Sequence, residues 1–267
     1  MSGIKQYFRA LKSKLGLLSK AALVLQLDKI YPDDIFLVSY PRSGNTWLRF
    51  IIAYLETGFD KEITFADLER VVPGVYGHHE YINAMARGRI IKAHHFFPDD
   101  YPRVLYIYRD YRDVLVSFYN YQRAHKVFTG TFSEFIHTTE RLSMYGSWKD
   151  HIKTALAYKE QHPDDCLLIS YEQLMQEFAS TVLKIAEFCD LKSHIDLAKL
   201  EQYTSFAALR SVEDKYDSKF KSRTNEHFMR QGLAGAWQSE FSADDMAYLQ
   251  RDKELVTIME TLGYIFG

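Results

Sequence analysis

The sequence predicts an α/β fold, a single domain with a central parallel sheet flanked by helices. From Ile30 onward, short apolar runs alternate with segments of helical spacing. The apolar runs are unbroken, as in strands covered on both faces. One of them, "DIFLVSY" (34–40), passes through "PRSGNT" directly into a helical pattern. A strand, a short polar loop and a helix in that order is how open α/β sheets hold anions.

Taken in order, the strands are expected at 34–40, within 87–95, at 103–110 and at 165–171. Helices are expected at 45–56, 111–123, 146–160, 172–190 and 244–262. Residues 211–235 are polar, charged and without periodicity, and they read as a long loop. Residues 1–30 stand apart from the domain at 31–267. They carry Lys5, Arg9, Lys12, Lys14 and Lys20, with no acidic residue before Asp28. Ile4, Phe8, Leu11, Leu15, Leu18, Ala22 and Leu25 form one apolar stripe. Residues 1–27 thus read either as a helix packed on the domain or as a basic amphipathic helix on an anionic membrane surface, with a transit peptide as a third reading.

Bulk properties exclude several classes. The 267 residues are 47% hydrophobic and 25% charged, enough for one sizeable core. A net charge of -2 argues against a nucleic-acid-binding surface but leaves room for a local basic pocket. Cys166 and Cys189 are too few for a disulfide framework, which points to a reducing, cytoplasmic compartment, with the N-terminal stripe adding peripheral membrane contact as an option. Apolar runs fall short of the ~20 residues a spanning helix needs.

The loop "YPRSGNT" carries the first functional signal. Gly44 lets the backbone approach a ligand. The amides of Ser43, Gly44, Asn45 and Thr46 lie at a helix start, where the dipole favours an anion. Arg42 adds a forked, permanent charge. The ATP-type signature G-x-x-x-x-G-K-S/T is not matched: the first glycine is missing and Asn45 stands in place of lysine. A phosphate or sulfate site and a plain Ser/Asn/Thr helix cap both fit this loop alone.

The loop resembles the 5'-phosphosulfate-binding loop of the cytosolic-type sulfotransferases, "YPKSGTTW" in family form and "YPRSGNTW" here. Five further landmarks follow in family order. "IIKAHHFFP" supplies Lys92 and His94; "YIYRDYRDVLVSFYNY" supplies Arg109 and Ser117; "LLISYEQL" supplies Tyr171; Thr204, Ser205 and Phe206 form T-S-F; "MRQGLAGAW" supplies Arg230, Gly232, Gly235 and Trp237, with Gln231 in place of lysine. The landmarks span Tyr40 to Trp237.

This resemblance implies a donor, 3'-phosphoadenosine 5'-phosphosulfate (PAPS), and sulfuryl transfer to a hydroxyl or amine without a metal. It implies Arg42 and the amides of Ser43 to Thr46 at the 5'-phosphate and bridging oxygen. Arg109, Ser117 and Arg230, with Gln231 and the backbone near Gly232, would hold the 3'-phosphate. Trp47, Tyr171, Thr204 and Phe206 would frame the adenine. His94 would be the general base and Lys92 would stabilise the transferring group. The acceptor is left open among small molecules, sugars and lipids. Pro41, Phe96, Phe97, Tyr119, Tyr121 and Phe128 flank the site as candidate acceptor contacts. His95 is expected to face away from His94. Arg112 is expected to be a solvated helix start, and Trp237 to serve packing. The family's dimer element reads "QSEFSADDMA" here and is scarcely recognisable, so its pairing mode does not carry over and the oligomeric state stays open. Two alternatives stand beside this reading: a P-loop-type kinase and a non-catalytic nucleotide-binding module.

Overall fold

The computed structural model describes residues 25–77, 79–138, 144–191, 195–216, 219–224, 226–229 and 232–266, with the side chains of residues 220 and 222 left aside. The amphipathic stripe of residues 1–24, Arg230 and Gln231 therefore lie outside the described residues.

Four parallel strands form one sheet in the order β2-β1-β3-β4. They are β1 (Ile35–Val38), β2 (Ile90–Ala93), β3 (Arg103–Tyr108) and β4 (Cys166–Ser170). Leu37 pairs with Lys92 on one side and Leu105 on the other. Because side chains alternate across the sheet, two cores form. Phe36, Val38, Val104 and Tyr106 pack on one face, with Val114, Phe118, Trp148 and Ile152. Ile35, Leu37, Leu105 and Ile107 pack on the other, with Leu48, Ile51, Val182 and Ile185. Both faces are thus covered, which explains the unbroken apolar runs. At the N-terminal ends of β1 and β2, Arg89 and Asp34 form a buried ion pair, with Arg89 Nε donating to Asp34 over 2.9 Å.

The chain leaves β1 toward β2 on one side and β3 on the other. The crevice between the carboxyl ends of β1 and β3 is therefore the topological switch point, where ligands of open α/β sheets bind. Helix α1 (Asn45–Thr57) follows β1; α2 (Phe65–Val71) and α3 (His79–Ala84) lead to β2. Helix α4 (Tyr111–Ala124) follows β3; α5 (Phe132–Ile136) and α6 (Trp148–Gln161) lead to β4. Beyond β4 come α7 (Tyr171–Gln176), α8 (Phe178–Phe188), α9 (Leu197–Thr204), α10 (Phe206–Tyr216), α11 (Lys219–Thr224), a 3-10 turn (Ala236–Ser239), α12 (Ala243–Arg251) and α13 (Lys253–Thr261). Among the described residues, no helix is long and apolar enough to cross a membrane. Cys166 and Cys189 are free and buried.

Three expected elements differ. The helix expected at 172–190 breaks at Glu177 (φ -123°), and that at 244–262 breaks at Asp252. Asp252 caps α13 through the Leu255 amide and pairs with Lys149, so a local cap outcompetes helix continuation. The expected loop at 211–235 begins as the end of α10 and includes α11. Its packing face is Leu209, Val212 and Glu213, all buried. Glu213 occupies a core position because its carboxylate accepts the amides of Phe228 and Met229. A charge at that position hid the apolar period.

Candidate active site

A cavity of about 460 Å³ opens at the switch point. Twelve of the sixteen expected site residues line it: Arg42, Gly44, Asn45, Thr46, Trp47, Lys92, His94, Arg109, Ser117, Tyr171, Phe206 and Gly232. Ser43 and Thr204 are buried behind its wall. Arg230 and Gln231 lie outside the described residues.

The loop after β1 owes its shape to two left-handed residues, Arg42 (φ 72°) and Gly44 (φ 95°). Gly44 has a second reason to be glycine: an added Cβ would lie 2.5 Å from the Tyr171 ring. Among the described residues, no side chain caps the start of α1. The first amides of a 13-residue helix are thus left for another acceptor, in a wall of the cavity. Asn45 does not serve as a lysine substitute. Its amide donates to Ser39 Oγ over 3.1 Å and ties the loop to the end of β1.

Arg42 reaches across the cavity. Its Nε donates to Ser117 Oγ over 3.1 Å, and its guanidinium lies between the rings of Tyr121 (4.9 Å) and Phe228 (4.7 Å). This links the phosphate-type loop to α4. An arginine in the left-handed region is uncommon, and such residues cluster at functional sites.

Arg109 follows β3. Its guanidinium stacks over Tyr171 (4.3 Å), donates to the Leu233 carbonyl over 2.6 Å, and lies 3.5 Å from Asp113. Asp113 in turn accepts the amides of Gly235 (2.7 Å) and Trp237 (3.0 Å). The segment ending at Trp237 is thus pinned over the cavity by one arginine and one aspartate. Gly232 (φ 65°) abuts Phe206 so closely that any Cβ would overlap its ring. Trp47, Tyr171 and Phe206 form an aromatic slot, with Trp47 edge-on to Tyr171 at 5.4 Å. Thr204 does not frame it directly. Thr204 is fully buried, and its carbonyl accepts the Trp47 indole N–H over 2.9 Å, so it orients the slot from behind.

Among the described residues, four buried polar atoms around this cavity have no hydrogen-bond partner: Ser43 Oγ, Asn45 Oδ1, Arg109 Nε and the Tyr171 hydroxyl. Orphaned buried polar atoms are costly and rare in native proteins. Burial also pushes the Tyr171 hydroxyl up to about 12, so it keeps its proton. Donors and acceptors concentrated around one basic cavity fit a polyanionic ligand with a ring to stack.

Lys92 and His94 also line the cavity. Lys92, on β2, is half-buried; desolvation and the nearby Arg49 charge lower its pKa to about 7. Its ammonium lies 4.7 Å over the Tyr76 ring. His94 lies in the bend just past β2, and its Nδ1 is 2.8 Å from the Ser39 carbonyl. Only an Nδ1–H can make that bond, so the neutral ring keeps the Nε2 lone pair. Burial first, and then the Lys92 charge, hold its pKa well below 6.5. The ring is enclosed by protein yet lines the cavity.

Several expectations need correction. His95 does not face away from His94: β2 ends at Ala93, strand alternation ends with it, and both rings lie against Tyr145 at 5.2 and 4.9 Å. Arg112 is buried, ion-paired with Asp110 at 2.7 Å and stacked 3.7 Å from the Trp237 ring, the packing partner expected of that tryptophan. Of the proposed acceptor contacts, Pro41 and Tyr121 line the cavity. Phe96 packs on Tyr101 and Tyr106, Phe97 on Tyr101, and Tyr119 and Phe128 on Phe135. Phe118, Met144, Tyr145 and Phe228 line the cavity instead. Arg49 was also missed. It is buried within α1, where its guanidinium donates to the carbonyls of Leu68 and Val72. An arginine inside an apolar helical run was the available signal.

Comparison with known proteins agrees with this geometry. The family described as "Sulfotransferase domain" matches residues 32–260. Mouse sulfotransferase 1 family member D1 is 26% identical, covering 83% of this chain and 82% of that protein. Dog sulfotransferase 1B1 is 28% identical, covering 79% of each. Among solved structures, mouse sulfotransferase SULT7A1 complexed with PAP superposes with a TM-score of 0.65 at 23% identity, over 88% of this chain and 86% of that one. Retinol dehydratase in complex with androsterone and PAP gives 0.63 at 20%, over 87% and 82%. The fold, the cavity at the switch point and the match across residues 32–260 lead to one conclusion: this chain belongs to the sulfotransferase family and is a transferase of that kind.

Proposed function

We propose that the protein transfers a sulfuryl group from PAPS to a hydroxyl of a small, largely apolar acceptor. The unpartnered Ser43 Oγ, Arg109 Nε and Tyr171 hydroxyl around one basic cavity carry this reading, because they are donors where a nucleotide with two anionic ends would lie. The relatives named for PAP support the donor's chemistry.

In this reading Trp47, Tyr171 and Phe206 stack the adenine. Arg109 and Ser117 hold the 3'-phosphate together with Arg230, the Gly232 backbone and, more weakly, the uncharged Gln231. The first amides of α1, with Ser43 and Thr46, hold the 5'-phosphate. Arg42 spans the two phosphate subsites through Ser117. His94 Nε2 removes the acceptor's hydroxyl proton while the acceptor oxygen bonds to sulfur. The bond from sulfur to the bridging oxygen breaks, and adenosine 3',5'-bisphosphate leaves. The charge that builds on that oxygen meets Lys92 and the α1 amides, which lower the barrier only in so far as they are already in place. Phe118, Tyr121, Met144, Tyr145 and Phe228 form the acceptor end, an apolar and aromatic wall suited to a ring or an alkyl chain.

A panel of acceptors grouped as phenols, apolar alcohols, sugars, lipids and amines, assayed with sulfur-labelled PAPS, tests this. Phenols or apolar alcohols are expected to accept best. Preference for sugars would overturn the acceptor assignment, and no transfer to any group would leave the non-catalytic module as the better account.

A further inference from the structure

Tyr76 belongs to none of the landmarks, yet it touches both members of the catalytic pair. It ends a short segment that extends the sheet beside β2. Lys92 N–H donates to the Pro73 carbonyl over 2.9 Å, and Val75 N–H to the Lys92 carbonyl over 3.1 Å. The Tyr76 hydroxyl then accepts two consecutive amides, His94 N–H at 2.6 Å and His95 N–H at 3.0 Å. In a strand, successive N–H groups point to opposite sides, so one oxygen cannot receive both. The hydroxyl therefore marks, and holds, the bend at which β2 stops. Its own proton has His95 Nδ1 as an acceptor at 3.1 Å.

The ring of Tyr76 does further work. One contact is the Lys92 ammonium, 4.7 Å from the ring centroid, a distance at which the ring quadrupole attracts a cation. The other is the His94 imidazole, within 18° of parallel and 6.1 Å away between centroids. On the far side of the bend, His151 Nε2 donates to the His94 carbonyl over 2.8 Å, and the Tyr106 hydroxyl donates to His151 Nδ1 over 2.6 Å. The base is thus held by its ring through Ser39, by its carbonyl through His151 and by its amide through Tyr76.

We propose that Tyr76 is a positioning residue for the transfer step: its hydroxyl fixes the His94–His95 bend, and its ring face sets the Lys92 ammonium beside the base. Tyr76 is absent from the cavity wall, so this role acts through Lys92 and His94 and not through contact with the donor. The kinetic consequence rests on the proposed sulfuryl transfer; the placement of His94 does not.

The test uses the full chain with Tyr76→Phe and Tyr76→Leu. Nitrogen-15 spectra of labelled histidines, assigned by the signal lost in His94→Ala, report the His94 tautomer. Calorimetry with adenosine 3',5'-bisphosphate reports the donor site. Tyr76 is 45% exposed, so neither variant empties a core position. Tyr76→Phe is expected to move His94 from a single Nδ1–H tautomer toward a mixture. It should lower kcat about tenfold with the best acceptor of the panel, since small misplacements of reacting groups are costly. Bisphosphate affinity and donor KM should stay within about twofold. Tyr76→Leu should lower kcat further, and only this variant should shift the titration of Lys92. Wild-type His94 signals and wild-type kcat in Tyr76→Phe would overturn the proposal. Absent turnover in the wild-type protein would sink the sulfuryl-transfer reading, while the tautomer spectra would still decide the role of Tyr76.

Discussion

Replacing His94 with alanine is expected to lower kcat by a factor of about 10²–10⁴, the range contributed by a general base. Affinity for adenosine 3',5'-bisphosphate should stay within about twofold, because in the proposed site other groups hold the nucleotide. The geometry supports this separation. His94 meets Ser39, Tyr76, Tyr145 and His151, none of which belongs to the phosphate-holding loops. The pH behaviour follows from its environment. Burial and the Lys92 charge hold His94 well below 6.5, so it stays neutral at pH 7 and requires no prior deprotonation. The wild-type rate should therefore show no acid limb near 6.5. An acid limb at that position, or full turnover in His94→Ala measured with labelled PAPS, would remove His94 from the role of base.

Lys92→Met is expected to lower kcat by about 10²–10³, the usual cost of removing one preorganised group aimed at developing charge. Lys92 should also give the reaction an alkaline limb. In the free protein its pKa is lowered to about 7 by burial and by Arg49. Above pH 7 it is increasingly neutral in the free protein, and binding an anionic donor beside it requires a proton to be taken up. Donor kcat/KM should therefore fall above pH 7 in the wild type and not in Lys92→Met. Calorimetry of the bisphosphate at pH 8 in buffers of different ionisation enthalpy should show proton uptake, absent at pH 6 and absent in the variant. The sign for folding is the reverse: the unfolded lysine, with an ordinary pKa near 10.5, binds the proton that the folded one has lost, so this group's contribution to stability rises from pH 7 to 10.5.

Much of the fold was legible because it is written in local patterns. The apolar runs fixed four strands, and the loop "YPRSGNT" fixed where the sheet would bind its ligand. Much of the cavity wall was legible too, since Arg109, Ser117, Tyr171 and Gly232 sit at landmark positions and line it. The misses share a cause. Thr204, Arg112 and Glu213 are polar or charged side chains whose partners lie elsewhere in the chain: Trp47, Trp237 and the Phe228 and Met229 amides. For Thr204 and Glu213 no nearby charge or cap announces burial, and Asp110 beside Arg112 reads equally well as a surface pair. His95 was misplaced because the strand ends one residue before His94, a boundary set by a tyrosine hydroxyl some eighteen residues upstream. The aromatic part of the cavity wall was the least legible. Which aromatic residues face a cavity depends on packing between helices, and Phe96 and Phe128 pack against the core while Tyr145 and Phe228 face the cavity.

The central claim is that the cavity holds a nucleotide by both its 5' and 3' phosphates. Calorimetric titration of the wild-type chain with adenosine 3',5'-bisphosphate and with ADP tests it directly, since the two ligands differ in where the second phosphate sits. With Arg109 and Ser117 on the 3' side, two or so charge-assisted hydrogen bonds favour the bisphosphate by about 100-fold. Equal affinities, or tighter binding of ADP, would contradict the account and favour a P-loop-type kinase.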